Sequence, residues 1–147
     1  MNKFMEQAIA IKDDIVEYRR VIHSNPEVGA ELPKTKAYVM DKLREFGYEP
    51  EEICESGIVA TIEGSKPGKT FLLRADMDAL PMAEATDCDF KATNGAMHSC
   101  GHDMHTAMLL GAAKLLKQNQ DEIEGTVKLV FQPDEEGFTG AKKMIEA

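Results

Sequence analysis

The chain is short of cysteine, of cations and of long apolar runs, and each shortage removes a class of function. Its three cysteines, Cys54, Cys88 and Cys100, are odd in number and widely spaced. That argues against the disulfide framework of a small secreted domain and fits a reducing cytoplasm. Lys and Arg number 17 against 26 Asp and Glu, a formal net charge of −9. A phosphate-binding face needs clustered cations, so nucleic acid is not an expected partner. No stretch reaches the roughly 20 apolar residues of a membrane span. The amino-terminal MNKFMEQAIAIKDD meets acids before any apolar run of signal length, so no secretory signal is expected. Internal repeats and low-complexity tracts are missing as well. What is present is a chain of 147 residues, 43% hydrophobic and 29% charged. That is enough for one ordinary domain with its own core.

The periodicity changes along the chain. Phe4, Ala8, Ile11, Ile15, Tyr18 and Ile22 recur at four- and three-residue steps, which predicts one amphipathic helix ending near Asn25-Pro26. A second helix is predicted from about Pro33 to Phe46, with proline in its first turn and Gly47 at its end. The β-branched run Ile58 to Ile62 predicts a strand, followed by a turn over Gly64 to Gly68. Thr70 to Arg74 is largely apolar and reads as a buried strand leading to Asp76 and Asp78. From about Leu80 to His98 no period is visible, and a long loop of this kind inside a domain is more often functional than idle. Asp103 is a candidate cap for a helix through Leu109, Leu110, Ala113 and Leu116. Thr126 to Phe131 predicts another strand, and a last helix starts near Thr139. A helix between strands favours a layered α/β domain, with acidic residues after the strand ends where such folds keep their sites.

Three clusters carry chemistry. MHSCGHDMH, residues 97–105, holds three of the four histidines and one of the three cysteines. Cys100 and His102 are good ligands for zinc or a similar ion, and Gly101 between them lets the backbone bend so that both face one point. The alternative is a loop whose histidines bond locally. FQPDEEG, residues 131–137, puts consecutive acids at a strand end. Three acids in a row are ordinarily a solvated loop. Here neighbours leaving a strand point different ways, so one glutamate can ligate a metal while the other faces a water. RADMDALP, residues 74–81, places Asp76 and Asp78 on one face if the strand persists. They are either a strand end satisfied by Arg74 and backbone amides, or carboxylates that complete the site.

RADMDALP, MHSCGHDMHTAMLLGAAKLL and VKLVFQPDEEGFTGAKKMI, in that order, closely resemble the M20 metallopeptidase family in its amidohydrolase branch. That branch includes N-acyl-amino-acid amidohydrolases, hippurate hydrolases and N-acetyldiaminopimelate deacetylases. RRVIHSNPEVGAELPKT resembles the amino-terminal signature of the same branch, so the likeness spans about Ile15 to Ile145. The resemblance implies a three-layer α/β/α sandwich of the zinc-peptidase type. It implies metal ligands at Cys100, His102 and Glu136, and Glu135 as the general base toward a water at the metal. Asp76 stands where related deacetylases have a catalytic aspartate, and Asp78, by its spacing to Pro81, is an alternative for that role. Relatives bind two divalent ions, variously zinc, manganese, cobalt or nickel, and hydrolyse an N-acyl amino acid to a carboxylate and a free amine. His98 and His105 match the motif, and for both the expectation is contact with a ligand or substrate rather than ligation. Asp134 and Ser99 depart from the branch, which has small residues there.

Members of the family are much longer than 147 residues. The expectation is therefore an amino-terminal part of the catalytic domain, without the lid domain that often mediates dimerisation and without two later histidine ligands. Such a piece is expected to bind metal weakly, to lack useful turnover alone and to associate through an uncovered sheet edge. Three other readings stay open. Cys100 could be a nucleophile with His102 or His105 as base. The cluster could be a structural zinc site, although a second Cys/His pair is not seen. The chain could also be a non-catalytic remnant that binds a partner.

Overall fold

The computed structural model describes residues 2–147. The amino-terminal stripe forms two helices rather than one, α1 over Lys3–Ala10 and α2 over Lys12–His23. The backbone turns at Ile11 (φ −99°, ψ 11°). Ile11 nevertheless keeps both helical bonds, donating to Gln7 O and accepting from Ile15 N. The bend carries Ile11 inward to 8% exposure while Phe4 stays 48% exposed, so the apolar period continues through a change of axis. Beyond them, α3 runs over Pro33–Glu45 with proline at its start, as expected.

One four-stranded sheet follows: β1 over Glu51–Ile53, β2 over Gly57–Glu63, β3 over Lys66–Asp76 and β4 over Glu124–Gln132, in the order β1-β2-β4-β3. The β2–β4 pair is antiparallel and β3–β4 is parallel. Between β3 and β4 the chain crosses over through α4, His102–Gln118, as a parallel pair requires. The predicted turn over residues 64–68 is shorter than expected, because Lys66 already pairs with Glu124, with a register shift before Thr70.

The register sorts the two faces. Ile58, Ala60 and Ile62 of β2 stand opposite Phe131, Leu129 and Val127 of β4, and all six are buried. Against them pack Tyr18 and Ile22 of α2, Val39, Met40 and Leu43 of α3, and Leu109, Leu110 and Ala113 of α4. Gly111 permits this approach: a Cβ there would meet Ile15 Cδ1 at 2.7 Å. The Tyr48 hydroxyl donates to Ala113 O at 2.8 Å and ties the segment after α3 to α4. The last helix, α5 (Gly140–Glu146), contacts β4. The chain is thus a mixed α/β structure, with helices packed on one four-stranded sheet.

The strand over Thr70 to Arg74 is not buried. Phe71 and Leu72 are 59% and 60% exposed. Among the described residues β3 is bonded only to β4, at the end of the sheet, and burial begins only at Ala75. An apolar strand is therefore an edge strand here. No helix among the described residues is long and apolar enough to cross a membrane.

Candidate metal centre

The crossover places the three chemical clusters side by side. Because β3 and β4 are parallel, with Asp76 opposite Gln132, both acidic segments leave the sheet at the same end. The amino terminus of α4 arrives there too. Gly101 precedes it in the left-handed region (φ 87°, ψ 18°), and a Cβ at this position would meet nothing within 4 Å. Conformation rather than space therefore calls for glycine. The left-handed residue turns the chain between Cys100 and His102 so that both reach one point.

Cys100, His102 and Glu136 each offer a ligand atom, and the three atoms lie within 4.8 Å of one another. His102 is buried. Its Nδ1 lies 2.8 Å from the main-chain oxygen of Asp78, so this nitrogen donates to the carbonyl and Nε2 is the ring nitrogen turned toward the cluster. Three carboxylates surround that Nε2: Asp76 Oδ1 at 3.7 Å, Glu135 Oε2 at 3.7 Å and Glu136 Oε1 at 3.8 Å. Two atoms each about 2.1 Å from a tetrahedral ion lie about 3.4 Å apart, so these gaps suit a shared divalent cation. Glu136 Oε1 is buried without a protein hydrogen bond. An orphaned carboxylate oxygen facing a free imidazole nitrogen and a thiol fits a divalent metal in chemistry as well as in spacing.

The two glutamates do not diverge as residues leaving a strand would. β4 ends at Gln132, and Glu135 and Glu136 sit in the following turn, closed by Phe138 N donating to Glu135 O. Their carboxylates converge on the same imidazole. The aspartates also part company, because β3 ends at Asp76. The Asp76 side chain faces the cluster: Oδ2 accepts from Arg74 at 2.8 Å and Oδ1 from the His105 ring at 2.7 Å. Asp78 turns away, and its two carboxylate oxygens accept the backbone N–H groups of Glu135 and Glu136.

The electrostatics follow from these contacts. Burial raises the Asp76 carboxyl pKa, but the His105 hydrogen bond and the charges of His102 and Arg74 outweigh it and hold the group below its usual range. The Cys100 thiol pKa is raised, first by the adjacent Glu136 carboxylate and then by burial. The His102 and His105 rings stack with centroids 5.7 Å apart. His105 is half exposed and lines an open groove of about 410 Å³ beside Asp76. His98 lies behind the cluster, buried, with both ring nitrogens lacking a hydrogen-bond partner. Burial drives its pKa down to about 4.

Asp103 does not cap α4. It lies in the first turn of the helix, where its charge suits the helix dipole. Its Oδ2 receives Arg19 Nε at 2.7 Å and lies 2.8 Å from His23 Nδ1. The other ring nitrogen of His23 lies 2.9 Å from Glu84 Oε1. Glu84 also accepts from Ala92 N at 2.6 Å and from the Thr86 hydroxyl. This network ties α2, the aperiodic loop and the start of α4 together next to His102 of the candidate site. The sequence carried a partial signal for it, in Arg19 and His23 four residues apart on one helix. Glu84, in a segment without periodicity, carried none.

Residues 72–147 match peptidase family M20/M25/M40. The chain is 49% identical over 152 aligned residues to a thermostable carboxypeptidase of Saccharolobus solfataricus, covering 100% of this chain and 39% of that protein. It is 41% identical to the N-acyl-L-amino acid amidohydrolase of Geobacillus stearothermophilus, covering 93% and 38%. Among solved structures it resembles a dinuclear metal-binding peptidase of the M20 family from Bacillus subtilis, with a TM-score of 0.89 at 38% identity over 93% of this chain and 39% of that one. The chain thus spans about two fifths of the length of the curated relatives it matches.

Proposed function

Because the chain belongs to peptidase family M20/M25/M40, we propose that it carries part of the active site of a metal-dependent amidohydrolase acting on N-acyl amino acids. Residues 1–147 belong to the catalytic domain in this reading. The observation that carries it is the convergence of Cys100, His102 and Glu136 within 4.8 Å, with Glu135 and Asp76 each 3.7 Å from the same His102 nitrogen. The names of the relatives point to one substrate chemistry. A carboxypeptidase and an N-acyl-amino-acid amidohydrolase both cleave an amide whose nitrogen side bears a carboxylate.

Cys100, His102 and Glu136 hold a divalent ion, of the kind zinc, manganese, cobalt or nickel provides. Bound there, such an ion supplies Lewis acidity and makes a water acidic near neutral pH. Glu135, on the adjoining turn, would take a proton from the attacking water and hand it to the amide nitrogen as the water oxygen bonds the acyl carbon and the C–N bond breaks. Asp76 keeps the His105 ring and the Arg74 guanidinium fixed beside the reacting groups.

The test is a chimera in which this chain replaces the matching segment of the Geobacillus amidohydrolase. The folded chimera is expected to release free amino acid from N-acetyl amino acids and to stop when chelated. Glu135→Gln is expected to keep the metal and lose turnover. A chimera that folds and holds metal but leaves the amide intact contradicts the proposal.

A further inference from the structure

Asp78 touches both metal-bearing segments at once. Its Oδ1 accepts the backbone N–H of Glu135 at 3.0 Å, and its Oδ2 accepts that of Glu136 at 3.1 Å. Its main-chain oxygen, 2.8 Å from His102 Nδ1, fixes that ring, and Oδ1 lies 3.4 Å from the same nitrogen. The residue is 1% exposed. Met77 N still donates to Gln132 O at 2.9 Å, so the main chain that carries Asp78 is itself anchored to the end of β4.

From this we infer that Asp78 is a positioning residue, a two-ended brace that sets the Glu135–Glu136 turn and the His102 ring at a cation-sized separation. The inference rests on the reading that Cys100, His102 and Glu136 hold a divalent ion, and it deepens that reading. Two adjacent backbone N–H groups make a small concavity for an anion, and a carboxylate that fills it forms charge-assisted bonds stronger than neutral ones. The same bonds turn both Asp78 oxygens toward the Glu135 and Glu136 amides, whereas Asp76 Oδ1 and Glu135 Oε2 each lie 3.7 Å from His102 Nε2. Of the two aspartates that the sequence left as alternatives, Asp78 acts through its neighbours. Without it the Glu135–Glu136 turn loses its only side-chain acceptor among the described residues, and the ligand it carries is no longer held at a fixed distance from His102.

Two measurements on this chain test the brace. In the metal-free wild type, the Glu135 and Glu136 amides are expected to exchange with solvent slowly by NMR, although they lie in a turn. Exchange at the rate of open turn amides overturns the inference and does not depend on any variant folding. The second measurement is cadmium titration, followed by the ultraviolet thiolate-to-metal band of Cys100. Asp78→Ala is expected to bind cadmium 10–100-fold more weakly and to reach the full band at saturation. Asp78→Asn accepts only one of the two amides and is expected to fall between Asp78→Ala and wild type. Tyr48→Phe, which removes a buried hydrogen bond in the middle of α4, is expected to lower stability and leave cadmium affinity unchanged. Unchanged affinity in folded Asp78 variants overturns the brace. A wild type with no thiolate band overturns the metal centre itself, and that result is distinct from fast amide exchange.

Discussion

His102 gives its Nδ1 hydrogen to the main-chain carbonyl of Asp78, 2.8 Å away, and this contact decides which ring nitrogen is left for a cation. The nitrogen left over faces Asp76, Glu135 and Glu136 at 3.7–3.8 Å. Orientation of the ring thus comes from the backbone just past β3, and charge comes from the turn past β4.

Gly101 sets the angle between Cys100 and His102 from the left-handed region, at φ 87°. Gly101→Ala has room for its methyl group but must hold an unfavourable backbone, at a cost of about 1–2 kcal/mol. Urea unfolding is expected to show that loss, and metal affinity is expected to fall with it. A variant as stable as wild type would mean that the loop relaxes and the angle is not enforced.

The network behind the site predicts a larger loss. His23 is buried between Glu84 and Asp103, with side chains 4%, 0% and 1% exposed. Glu84→Ala leaves one end of a buried charged network unmatched, and breaking such a pair costs about 3–5 kcal/mol. The shift should appear in the denaturation midpoint. A change within experimental error would show that the network carries little stability.

The same residue predicts a pH dependence. Burial raises the Glu84 carboxyl, but hydrogen bonds from Thr86, His23 and Ala92 overcome it and hold the group at about 2, below the unfolded value of about 4.3. A depressed carboxyl stabilises the fold fully above its unfolded pKa and loses that contribution as pH falls toward 2. Wild-type stability is therefore expected to decline between about pH 4.3 and 2, and Glu84→Gln to decline less steeply across that window. Parallel curves would contradict the assignment.

β3 predicts behaviour in solution. Phe71 and Leu72 are exposed on a strand with a free edge among the described residues, and such edges recruit other chains. Sedimentation of this chain is expected to show concentration-dependent association. Leu72→Lys, which puts a charge on that edge, is expected to reduce it. Association unaffected by the lysine would place the contact elsewhere.

Much of the candidate site was legible because its residues are local in sequence. Cys100 and His102 are one residue apart, Glu135 and Glu136 adjoin, and the strands that bring them together show their period in the sequence. Geometry that depends on where a strand stops was not legible. A strand persisting past Asp76 would put Asp78 on the same face, yet β3 ends at Asp76 and the second carboxylate turns to the Glu135 and Glu136 amides. Edge position was hidden for a related reason. The apolar run Phe71 to Leu73 suits an inner strand, and only the pairing order reveals it at the margin. Asp103 reads as a cap because acids favour helix starts, but long-range partners, Arg19 and His23, claim its side chain.

Elemental analysis of the purified chain at dialysis equilibrium with zinc, in wild type, Cys100→Ala and Glu136→Ala, tests whether Cys100, His102 and Glu136 hold a divalent ion together. The geometry predicts about one ion per wild-type chain and its loss from both variants. A folded wild-type chain that retains no zinc, or variants that retain it equally, would contradict the claim.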